Sequence, residues 1–219
     1  MGRAKIPRKS TIVDMTAMCD VAFLLLTFFI LATKQKPDEA LAVVTPNSIS
    51  SKVAPDEAIL FTLTPDNKVF LVLGDETKKA DVLKDFNDVN GLGLSPAELN
   101  KWAKKQFIGL PANQIKGFLA LANEPNPKTM PGIPIDTANN ELIKWVKSIT
   151  NAYSGGDQNE LQEMLLVKGD GSAKYPAYKQ IKEAFKANDI FKFRVVTNGE
   201  QVPVGSELYK KGVTGGIKE

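Results

Sequence analysis

The 219 residues contain no histidine. That absence removes the commonest metal ligand, the Ser–His and Cys–His catalytic pairs, and the side chain that ordinarily titrates near neutral pH. Proton chemistry near neutrality then falls to a carboxylate, a lysine or a thiol with a displaced pKa. A single cysteine, Cys19, excludes an intramolecular disulfide and a zinc site built on Cys and His. An excess of one charge is missing too. The 28 basic and 25 acidic residues leave a net +3, which argues against a nucleic-acid partner. The length allows one ordinary domain plus a short appendage, and the apolar content is that of a globular protein.

Long apolar runs are absent with one exception. Residues 21–32 read VAFLLLTFFILA, without a charge. Arg3, Lys5, Arg8 and Lys9 precede the run, and Lys34 and Lys36 follow it. Twelve uncharged residues are short for a span, since crossing the bilayer takes about 20. Extending the run back through Met15 supplies the length, at the cost of including Asp20. Three readings compete: a retained membrane anchor, a secretory signal peptide, and the buried helix of a soluble domain. The anchor is favoured, because an acid at the head of the apolar core fits a signal peptide poorly. The distribution of basic residues places the N-terminus in the cytoplasm and exports the rest.

An aspartate in a membrane helix costs about 2.5–3.5 kcal/mol near the bilayer centre. A plain anchor has no reason to carry one. Two placements are open. In one, Thr16 is the N-cap and Asp20 is a solvated first-turn residue favoured by the helix dipole. In the other, Asp20 lies inside the membrane facing protein or trapped water, where it loads and releases protons. Thr27 is seven residues on, so it shares a face with Asp20, along with Phe23, Leu24 and Leu31. Its hydroxyl serves a proton path through water or bonds its own backbone.

The remainder reads as a small α+β domain, helices packed on one face of a sheet. Residues 34–56, rich in Pro, Ser, Thr and Ala, read as an extended linker. Residues 58–64 and 69–73 form a hairpin around the Pro65–Lys68 turn. Ser95, Pro96 and Glu98 mark the start of a helix running to about Gln106. A long loop spans 123–140 and a helix spans 141–151. Residues 160–167 are ambiguous between helix and strand. A helix follows at 175–187, with Tyr178, Ile181 and Phe185 inward, and a strand at 191–197. Gly169-Asp170-Gly171 is a tight turn, and Trp102 and Trp145 are core residues. No convergent set of catalytic groups and no cofactor or metal site is expected, so the chain does not read as an enzyme.

Residues 13–29, VDMTAMCDVAFLLLTFF, resemble the signature of the ExbD/TolR family: an acid and a Thr-Pro pair, two apolar residues, an aspartate, then a Leu- and Phe-rich helix. The family's functional aspartate falls on Asp20 and its threonine on Thr16. Ala17 stands where the family has proline, and Cys19 replaces an aliphatic residue. Residues 40–46, 165–170, 175–187 and 191–197 continue the resemblance more weakly, while 109–156 remain unmatched. The resemblance implies a cytoplasmic tail (1–12), a transmembrane helix (13–33), the linker (34–56), a periplasmic domain (57–204) and a flexible tail (205–219). It implies a subunit of a proton-driven inner-membrane complex, with Asp20 as proton carrier supported by Thr16 and Thr27. Implied partners are a pentamer of an ExbB- or TolQ-like polytopic protein, a second copy of this chain, and a TonB- or TolA-like energy-transducing protein. The alternative is a periplasmic binding or scaffold domain that the helix merely tethers.

Overall fold

The structure is a computed structural model that describes residues 15–32, 41–49, 54–55, 57–121, 126–136, 139–156, 158–200 and 206. The chain divides into two compact units. One holds helix α1 (Met15–Ala32), and none of its residues is buried. The buried-helix reading expects a protein core around the helix, and no described residue of α1 is buried.

The other unit is a helix-and-sheet domain. Its elements in order are β1 (Asn47–Ser48), β2 (Ile59–Leu63), β3 (Val69–Leu73), α2 (Glu76–Asn90), α3 (Pro96–Ala103), α4 (Ala112–Ala120), α5 (Glu141–Ala152), α6 (Gln158–Met164), β4 (Leu165–Gly169), α7 (Tyr175–Lys186), β5 (Arg194–Val195) and β6 (Asn198–Gly199). The hairpin forms as expected. Asn67 takes the left-handed conformation at φ 59°, and the Thr64 amide donates to the Lys68 carbonyl at 3.0 Å. The main sheet runs β3-β2-β4-β5. β2 and β3 are antiparallel, while β2–β4 and β4–β5 are parallel.

β3 is buried at all five positions, so neither of its faces meets water. Its outer edge is also closed. Leu71 and Ile108 exchange backbone hydrogen bonds at 2.8 and 2.7 Å, and the Ile133 amide donates to the Val69 carbonyl at 2.9 Å. This stitching sets Phe107 edge-on to Phe70, ring centroids 6.3 Å apart. Phe61 of β2 meets Phe185 of α7 at 5.1 Å. Among the helices, Phe86 of α2 stacks on Trp145 of α5 at 3.6 Å, and Trp102 of α3 meets Trp145 edge-on at 5.6 Å. Both tryptophans are core residues, as expected. Glu141, the first residue of α5, accepts the Ala112 amide at 2.8 Å and so caps α4 across a long loop.

Several expectations need correction. The linker assignment fails for residues 44–48, which are hydrogen-bonded onto the domain. α2 and α4 are additional to the elements expected from the sequence. α3 ends at Ala103 rather than near Gln106, and the 191–197 strand narrows to Arg194–Val195. The ambiguous 160–167 stretch divides, helix to Met164 and strand from Leu165. Within the expected 123–140 loop, Pro127–Thr129 form a 3-10 turn. The unmatched 109–156 stretch is part of the domain, since Ile115, Leu142, Trp145 and Ile149 belong to its core. Of the 205–219 tail, all but Ser206 lies outside the described residues.

Candidate functional site

Eighteen residues at 1.5 Å each make α1 about 27 Å long, close to the thickness of a hydrocarbon core. By length and composition it can cross a membrane. Asp20 is the one charged residue on it, and Cys19 beside it is an exposed free thiol. The described helix already includes Met15, so Thr16 lies inside α1 rather than ahead of it. That corrects the N-cap placement of Thr16. It also moves Asp20 beyond the first turn, where the dipole argument no longer reaches it. Asp14 lies outside the described residues.

Thr27 settles between its two options. Its hydroxyl donates to the carbonyls of Phe23 and Leu24 at 2.9 and 3.0 Å, within the helix itself. It shares the face of Asp20, about 10 Å further along the axis. Its one proton is committed, but its oxygen lone pairs remain acceptors. The other large side chains of that face, Phe23, Leu24 and Leu31, are exposed.

In the domain, a collar of hydrogen bonds holds the segment that follows α1. The Val44 amide donates to Asp170 Oδ2 at 2.9 Å, and the Gly171 amide donates to the Val44 carbonyl at 2.9 Å. Thr45 Oγ1 donates to Asn198 Oδ1 at 2.8 Å, while Asn198 Nδ2 donates back to the Thr45 carbonyl at 3.1 Å. β1 and β6 then pair in parallel as a separate two-stranded sheet. Ser172 donates to Asp170 from its hydroxyl and its amide; together with Val44 these bonds hold the Asp170 carboxyl below its ordinary pKa. Sequence reading found the Asp170 turn but not its partner, because a bond between residues 44 and 170 leaves no local signature.

An apolar pocket of about 250 Å³ opens beside this collar, lined by Pro46, Leu63, Val167, Tyr175, Tyr178 and Val195. Its titratable lining groups are Asp170, already bonded to Ser172 and Val44, and the phenols Tyr175 and Tyr178. Elsewhere, Asp75 caps α2. Partial burial opposes its charge, but hydrogen bonds from Thr77, Lys78 and Tyr153 outweigh that and lower its pKa. Burial, then the Asp75 charge, pushes the Tyr153 phenol up. Lys79 is buried in α2, donates to the Lys105 carbonyl at 2.6 Å, and has its pKa lowered by desolvation against the pull of Glu76. Among the described residues no cluster of acids and cysteine could hold a metal ion.

A family model described as biopolymer transport protein ExbD/TolR matches residues 7–200, a range that takes in α1, the collar and the 109–156 middle. No curated protein and no solved structure matches the chain.

Proposed function

The chain belongs to the ExbD/TolR family of biopolymer transport proteins, and we propose that it is the single-span subunit of a proton-motive-force-driven inner-membrane complex in which Asp20 carries the proton. The family serves energy transduction for biopolymer transport, and its members work with ExbB/TolQ and TonB/TolA partners. In this reading the N-terminus is cytoplasmic and the helix-and-sheet domain is periplasmic. Two copies of α1 sit within a pentamer of the polytopic partner. Ion flow past Asp20 is passed through the domain to a TonB- or TolA-like protein.

One observation carries the reading. Asp20 is the lone charge on a membrane-length helix, it lies past the first turn, and none of the described residues of the helix is buried. Such an acid is costly unless a partner or water receives it. Thr27 supports it by offering hydroxyl lone pairs to a water on the same face. Thr16, one turn before Asp20, borders the same acid from the cytoplasmic side.

Asp20→Asn keeps the side-chain shape and removes the ionisable carboxyl proton. The expected result is a subunit that still co-purifies with its polytopic partner from detergent but abolishes proton flux in proteoliposomes and energised uptake in cells. Replacing residues 11–33 with an acid-free anchor gives the same loss. Unchanged flux and uptake in both variants would leave α1 a tether and defeat the proposal. The partner that co-purifies also identifies whether the system is of the Ton or the Tol kind.

A further inference from the structure

The sequence contains two Asn-Gly pairs, Asn90-Gly91 and Asn198-Gly199. Asn-Gly is the pair in which a backbone nitrogen most readily attacks the preceding side-chain amide, because glycine puts no Cβ in the way and its backbone turns freely. Both side-chain amides are hydrogen-bonded, that of Asn198 to Thr45 at 2.8 and 3.1 Å, so the difference between the pairs lies in the backbone around them.

Asn90 ends α2. Its Nδ2 donates to the Phe86 carbonyl at 2.9 Å, and its Oδ1 accepts Lys144 Nζ at 3.0 Å. The Gly91 amide is itself engaged, donating to the carbonyls of Asn87 and Asp88 in a left-handed cap. α2 is anchored in the core by Val82, Leu83 and Phe86. Attack there requires unwinding a packed helix end.

Asn198 and Gly199 are both exposed and constitute the whole of β6. Among the described residues the strand pairs only with β1, in a sheet of two residues per strand that buries neither Asn47 nor Ser48. Along it, the amides of Asn198 and Glu200 donate to Pro46 and Ser48 at 2.9 Å. So short a ladder, without apolar burial of its own, opens at the low end of the local stability range.

We propose that Asn198 is a site of spontaneous deamidation, and that its conversion loosens the collar holding residues 44–48 to the domain. The Gly199 nitrogen bonds to Asn198 Cγ, the Cγ–Nδ2 bond breaks, and ammonia leaves with the proton from the Gly199 amide. Water then opens the resulting succinimide at either carbonyl to give aspartate or isoaspartate. Either product loses the Nδ2 donor and turns a carboxylate toward the Thr45 carbonyl. Isoaspartate also lengthens the main chain by a methylene and breaks the β1–β6 register. In the isoaspartate form the bonds of Val44 to Asp170 and Gly171 remain while those to β6 weaken, so residues 44–48 are held less firmly to the domain as the protein ages.

The test ages the full-length protein in detergent at mildly alkaline pH and maps products by proteolysis and mass spectrometry. Aspartate and isoaspartate should accumulate at Asn198 while Asn90 stays intact. Gly199→Ala, whose new methyl group meets nothing within 4 Å, should slow conversion by about tenfold or more without disturbing the fold. Amide exchange at Val44, Asn198 and Glu200 should rise several-fold in the aged wild type and in Asn198→Asp, with β2 and β3 unaffected. Conversion of Asn90 as fast as Asn198, a wild-type rate in Gly199→Ala, or unchanged exchange in the converted protein would each overturn the proposal.

Discussion

An alanine at position 109 would place its Cβ 2.2 Å from the ring of Phe70, which is fully buried and packed edge-on against Phe107. Gly109→Ala is therefore expected to destabilise the domain by about 1–3 kcal/mol, the usual cost of overpacking. Gly117, inside α4, faces open space and has no positive φ. Gly117→Ala should stabilise by about 0.5–1 kcal/mol through helix propensity. Chemical denaturation of the two variants side by side reads both signs, and destabilisation by both would mean that α4 is not the regular helix described. Trp145 is a third test. Its ring stacks on Phe86 and meets Trp102, so Trp145→Ala should cost about 3–5 kcal/mol and alter the fluorescence of Trp102.

Helix α2 is capped at both ends. Asp75 accepts the Thr77 and Lys78 amides at 2.9 and 3.2 Å, and Gly91 closes the helix at φ 60°. Removing the first with Asp75→Ala should cost about 1 kcal/mol. The cap is also a pH lever. Asp75 titrates below its ordinary 3.8 in the folded domain, so the unfolded chain takes up the proton first as pH falls. The cap's contribution is complete well above pH 3.8 and disappears as pH drops through the folded-state value. Urea midpoints measured over that range should fall less steeply in Asp75→Asn than in the wild type. The same helix shows where sequence reading stopped. α3, α5 and α7 announced themselves through the Ser95–Glu98 capping box or a broad apolar stripe. α2 buries only Val82, Leu83 and Phe86 as large apolar groups among many charges, and Asp75 and Gly91 were its sole legible signals. α4 lacks a side-chain cap of its own, because Glu141 supplies it from a distance. On α1 the apolar run and Asp20 were legible. The start of the helix is not legible, since a threonine that suits an N-cap can equally sit within the helix.

The whole domain is not uniformly held. β2, β3 and β4 carry side chains buried almost completely, whereas the collar rests on hydrogen bonds around one buried residue, Thr45. Amide exchange should therefore rank Val44, Asn198 and Glu200 well below Phe61, Phe70 and Val167 in protection; equal protection would show the collar to be part of the core. The sheet order has a consequence in time. β2 finds its antiparallel neighbour within a few residues, but its parallel neighbour begins at Leu165, the register partner of Ile59. All the helices from α2 to α6 lie between. As the chain emerges during synthesis, the hairpin and the Phe86–Trp145 cluster can assemble first, yet the Ile59–Leu63 edge stays bare until the last quarter of the chain arrives. Closing so long a loop is slow, and a bare strand invites the wrong partner while it waits. A nascent chain stalled before Leu165 is then a candidate for chaperone capture or aggregation.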